Sequence, residues 1–157
     1  YYAYQRLRNF FGGFVFNHIR VQRNLAYAPN VDEKSWRSSV GTISVQTPYV
    51  DSAIKVIYDD VDFFCNNYIR ESAIREGVAG YTTRNYLKAE TTGSQAAALG
   101  AAVMETGDWR NAFTSYEKLA SVTPQQIVAA ARTYLRNFNW VIVGDSTHIS
   151  RSLLESR

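Results

Sequence analysis

Few side chains in this 157-residue sequence are placed to do chemistry, and the most suggestive lie in "HIRVQRNLAY", residues 18 to 27. Arg20 falls at the end of a helix-like stretch and Tyr27 at the start of what reads as a strand, seven residues on. A guanidinium keeps its charge at any working pH and a phenol donates a hydrogen bond without ionising. Such a pair suits an oxygen on which negative charge develops. A helix-terminal cation and a strand aromatic packed on its sheet is the plainer reading of the same residues.

Other chemistries find little support. The two histidines, His18 and His148, are far apart, and neither belongs to a His-Glu-x-x-His motif or its inverse, so a zinc site built from this chain alone is not expected. His18 lies on the apolar side of its helix and reads as a packed or hydrogen-bonded residue. Cys65 has no neighbouring base and sits in an aromatic helical run, as a small buried hydrophobe does. The three aspartates of "YDDVD", Asp59, Asp60 and Asp62, read as the solvated face of a helix. No catalytic residue is assigned. Seventeen Lys and Arg against fourteen Asp and Glu are scattered along the chain, which makes a weak case for nucleic acid. No apolar run reaches bilayer length. Arg23, Arg84 and Lys88 read as surface charges, and Trp36 as a loop residue either exposed to a partner or folded back.

The elements that must hold Arg20 and Tyr27 follow from periodicity. Residues 1 to 23 read as a helix punctuated by Gly12 and Gly13, where a break or a close approach is expected. Period-two patterns predict strands over 25–31 and 40–47, joined by a long polar connection, "DEKSWRSS". Thr47 and Pro48 predict the start of a helix whose apolar stripe runs Val50, Ala53, Ile54, Ile57, Tyr58, Val61, Phe64. Helices follow over 70–90, through the small-residue run "SQAAALGAAVM", and over 109–119. "SVTPQQIVAAARTYL" carries a capping box, Thr123 with Gln126, and Pro124 at the first helical position. "NWVIVGD" reads as a buried strand. With 46% hydrophobic residues the chain can bury one core. The expectation is one α+β domain over 1–157, a mostly antiparallel sheet covered by helices on one face. The opening "YYAYQRLRNFF" reads as internal to something longer.

"GGFVFNHIRVQRNLAYAPNV", "GTISVQTPYVDSAIKVI", "YEKLASVTPQQIVAAARTYL" and "WVIVGD", in this order, resemble the C-terminal (second) domain of pitrilysin/insulinase-family zinc metallopeptidases, which include the mitochondrial processing peptidases. The sequence departs from the family's pattern at Asn24, where Gly is usual, and at Ala28-Pro29, where a small or hydroxyl residue is. The first strand and helix of a complete domain are not recognisable. The resemblance implies a half-clamp that is inert alone and faces an N-terminal zinc-carrying half, or a partner subunit, across a chamber. It implies no cofactor in this chain, with zinc in the partner domain, and a peptide substrate contacted by Arg20 and Tyr27. An inactive scaffold subunit of the same fold is the alternative. The compartment stays open between cytoplasm and periplasm.

Overall fold

The computed structural model describes residues 2–35, 39–67, 69–145 and 149–154, with the side chains at 34, 35, 39, 81, 84, 85, 88, 115 and 116 outside the description. The expectations for Trp36 and His148, and for the side chains of Arg84 and Lys88, therefore lie outside the described residues. Helix α1 (Tyr2–Val15) runs without a break into a π-helix, Phe16–Gln22. Strands β1 (Asn30–Ser35) and β2 (Ser39–Ser44) follow, then α2 (Val50–Asn66), α3 (Glu71–Lys88), α4 (Thr92–Thr106), α5 (Asn111–Ala120), α6 (Pro124–Tyr134) and the short α7 (Arg151–Leu154). The two strands pair antiparallel, Val31 opposite Ile43, so the fold is α+β with a small sheet among helices.

The core lies where α1, the π-helix, α2 and α6 converge. Leu7, Phe11, Val15 and Ile19 form one continuous stripe at four-residue steps. They meet Ile57, Val61 and Phe64 of α2 and Ile127 and Ala131 of α6. The glycines do not break α1; Gly12 faces Val31 on β1, where a Cβ would stand in ordinary contact at 3.5 Å. Close approach is found at Gly41 on β2, where a Cβ would meet the Tyr4 hydroxyl at 2.7 Å. Glu33 on β1 accepts a hydrogen bond from Gln5 at 3.0 Å and pairs with Arg8 at 3.8 Å, so α1 is held to the hairpin by polar groups as well. Arg6 is buried beside Gly77 of α3, donates to the carbonyl of Ile74 and stands 5.1 Å over the Phe10 ring. Burial lowers its pKa.

Three local expectations are corrected. The first strand begins at Asn30, so Tyr27 precedes it, and Asp32 to Ser35, expected in the connection, belong to β1. Helix α2 begins at Val50, two residues after the expected start, because the Thr47 hydroxyl is used otherwise: it accepts from the Tyr49 N–H at 2.9 Å and donates to the Leu25 carbonyl at 2.6 Å. The segment "NWVIVGD" forms no strand. Trp140 packs on Tyr58 and donates to its hydroxyl at 3.1 Å, but Val141 and Val143 are 88% and 96% exposed. Sheet formation needs a neighbouring strand, and none pairs with this segment among the described residues.

The capping box of α6 forms as expected: Gln126 N–H donates to Thr123 Oγ1 at 3.3 Å and Thr123 N–H to Gln126 Oε1 at 2.9 Å. At the other end of the chain, Asp51 accepts hydrogen bonds from the backbone N–H (3.1 Å) and the hydroxyl of Ser150. The Ser150 hydroxyl and then its N–H draw the Asp51 carboxyl below its ordinary value of 3.8. A depressed carboxylate pKa contributes stability that is fully present above the unfolded value and lost as pH falls through the folded one. Hydrogen exchange at the Ser150 amide is therefore expected to lose protection, relative to the intrinsic rate, as pH drops below about 3.8, while amides of α6 keep theirs.

Candidate functional site

The stretch that raised the chemical question folds as a wide turn. The chain leaves the π-helix at Gln22, Arg23 follows with φ −114°, and Asn24 takes φ +50° in the left-handed region. This reversal lets the Leu25 N–H reach back to the Ile19 carbonyl at 2.8 Å, and Thr47 then fastens the Leu25 carbonyl to the start of α2. Left-handed backbone costs a residue with a Cβ roughly 1–2 kcal/mol, least for Asn and Asp. A glycine and the asparagine found here would thus meet the same conformational need. Asn24→Gly is expected to leave stability nearly unchanged in urea denaturation, whereas Asn24→Ala loses about 1 kcal/mol.

The turn brings Arg20 and Tyr27 together. The Arg20 guanidinium carbon lies 4.4 Å from the Tyr27 ring centroid, over its face. Tyr27 is 79% exposed and does not pack on the sheet, which removes the plainer reading of that residue. Arg20 is half-buried, donates to Asn24 Oδ1 at 3.3 Å, and pairs with no carboxylate among the described residues. An exposed cation–π contact contributes about 0.5–1 kcal/mol, enough to bias the two side chains toward one another and too little to lock them. What results is an outward-facing pair with N–H and O–H donors to spare.

Behind the turn lies a hydrogen-bonded pair: His18 is packed and hydrogen-bonded as expected, and its partner, Asp60, is not where it was expected. Asp60, expected on the solvated face, is 2% exposed and shares a hydrogen bond between its Oδ1 and His18 Nδ1. Burial pushes the Asp60 carboxyl above its ordinary range, opposed by the His18 hydrogen bond and charge and by the charge of Arg23. Asp59 is exposed as expected. His18 also stands edge-on to Phe14, with centroids 5.3 Å apart, and its carbonyl accepts from Arg23 Nη1 at 3.3 Å. Arg23 is otherwise exposed. A signal for Asp60 existed: it lies three residues after Ile57 and four before Phe64, the spacing of the α2 stripe itself.

Among the described residues no three of His, Cys, Asp and Glu converge, so His18 and Asp60 do not amount to a metal centre. No described helix is long and apolar enough to cross a membrane.

Fold and site together define an α+β, largely helical unit in which a half-buried guanidinium on the π-helix stacks over an exposed phenol that follows it. Among solved structures the chain is similar to the periplasmic protease PqqL from Escherichia coli, with a TM-score of 0.64 at 14% sequence identity, over 85% of this chain and 15% of that one. At that identity the likeness shows the fold. The chain spans about 15% of the length of that protein. No protein-family model matches the chain, and no curated protein does.

Proposed function

We propose that this chain is the non-catalytic, substrate-binding half of a zinc-dependent metalloendopeptidase, closing over a peptide held against a zinc-carrying half or partner subunit. The reading is supported by the order of motifs that resemble the second domain of pitrilysin/insulinase peptidases and by the fold shared with a protease. The observation that carries it is the contact of Arg20 with Tyr27 on an exposed turn, free of any carboxylate among the described residues.

Zinc in the other half would supply the activated water. The residues of this chain act on the peptide: as its carbonyl carbon becomes tetrahedral, charge grows on the oxygen, and the Arg20 N–H and Tyr27 O–H donate to it. Donors fixed before the reaction are worth more than water because they need no reorganisation as charge develops. The cation–π contact holds the guanidinium against the phenol without consuming the in-plane N–H groups or the hydroxyl. The test is peptide hydrolysis by the assembly containing this chain and a zinc-carrying half. Turnover that depends on Arg20 with folding intact supports the proposal. Turnover indifferent to Arg20, or no peptidase activity in any assembly, refutes it and leaves a scaffold subunit of the same fold.

A further inference from the structure

Resting on the role proposed for Arg20 and Tyr27, we infer that His18 and Asp60 are positioning residues: their buried hydrogen bond clamps the π-turn to α2 and thereby sets the stack of Arg20 on Tyr27. Three observations converge on His18. Its Nδ1 is held by Asp60, which is 2% exposed and for which no second hydrogen-bond partner reaches Oδ2. Its carbonyl receives Arg23 Nη1, across the end of the turn that contains Arg20. Its backbone sits within the seven-residue π-helix Phe16–Gln22, two residues before Arg20.

A π-turn is a rare, poorly self-supporting backbone form, seen mostly as single turns and often at functional sites, so it needs a tether from outside its own ladder. Here the tethers come from α2 at both ends. Asp60, in the body of α2, holds the side chain of His18, and Thr47, just before α2, holds the carbonyl of Leu25. Between these two fixed points lie Arg20 and Asn24, and Tyr27 follows two residues after Leu25. A buried carboxylate is costly unless it is partnered, and an apolar pair of similar size would often be as stable. Retaining an ionisable pair at this joint is understood if its directionality sets the turn. The imidazole does not touch the peptide in this account; it acts through the backbone that carries Arg20.

The stack provides a readout that stability alone would not move. A proton above an aromatic face resonates upfield, so the δ-methylene protons of Arg20 report their place over Tyr27 by NMR of the 157-residue chain. The Tyr27→Leu variant calibrates the unstacked value. His18→Leu is expected to bring the Arg20 signal to that unstacked value, while His18→Asn, whose amide nitrogen replaces Nδ1 as donor to Asp60, keeps the upfield position. A signal that stays upfield in His18→Leu overturns the inference, as does its loss in both variants. If His18→Leu does not fold, His18→Gln, whose amide lies at the wrong depth, decides in its place: the stack is lost if the inference holds and kept if it fails. No peptide enters this measurement, so it separates from the hydrolytic role. In a peptidase assembly, His18→Leu further predicts a fall in kcat of about a hundredfold with KM little changed, the scale expected of a misplaced positioning group.

Discussion

Replacing Arg20 by alanine is expected to lower peptide turnover by about a hundredfold in the assembled peptidase, corresponding to a loss of roughly 3 kcal/mol of transition-state stabilisation. The loss is expected to fall on kcat, because in the proposed role the guanidinium donates to an oxygen whose charge exists only as the carbonyl is attacked. A residue that gripped the peptide equally before and during attack would raise KM instead. Folding should be undisturbed: Arg20 gives one hydrogen bond at 3.3 Å, to Asn24, and an exposed stack, together worth little to the native state. Tyr27→Phe removes the hydroxyl and keeps the ring under Arg20, so it isolates the phenolic donor. The double variant is expected to lose less than the sum of the two, since side chains in contact are coupled and serve one oxygen. Steady-state kinetics of the three variants, with thermal melts alongside, check these outcomes.

Phe64→Ala carries the largest expected effect on stability, about 3–5 kcal/mol, or roughly 10 °C in melting temperature for a chain of this size. Phe64 has no exposed surface and lies at the joint of α1 and α2. Its ring meets Phe11, Phe14 and Phe63 edge to face, with centroids 5.6, 5.0 and 5.7 Å away. Truncation removes a full aromatic side chain and opens a cavity that four-residue steps of Phe11, Val15 and Ile19 cannot collapse without bending the helix. Phe63→Ala, one position along but 37% exposed, stacked on the flank of Phe14 and edge-on to Phe64, should cost far less. Comparing the two by urea denaturation tests where the core lies. Because α1 continues directly into the π-turn, slackening this joint is also expected to loosen Arg20.

How far the fold could be read from residues depended on how local each element's causes are. Helix α6 was legible in full, since Thr123, Pro124 and Gln126 fix its start within four residues of chain. The stripe of α2 was legible because six of its seven expected residues, all but the half-buried Val50, are buried at helical spacing. Asp60 was misread because its charge was weighed above its position, and only the partner on another helix, His18, makes a buried carboxylate tolerable there. The π-helix was not singled out in the sequence: the groups that fasten its neighbourhood, Asp60 and Thr47, lie 42 and 22 residues from the His18 and Leu25 they hold. The strand expected at "NWVIVGD" failed for the same reason: apolar composition prepares a segment for a sheet, but a ladder requires a neighbour. The seven-residue spacing of Arg20 and Tyr27 was visible from the start. That the chain between them turns back and stacks one on the other goes with a left-handed residue at Asn24, a position the sequence marked only as a departure from the glycine usual in the resembled family.

In the proposed role, Arg20 and Tyr27 bind a carbonyl oxygen more tightly as it becomes an oxyanion. The most direct measurement is the affinity of the assembled peptidase for a phosphinic peptide, whose tetrahedral oxygens imitate that state, beside its affinity for the cleaved product. Arg20→Ala is expected to weaken binding of the phosphinic peptide by about a hundredfold and to leave product affinity nearly unchanged. Equal weakening of both ligands, or of neither, would contradict it.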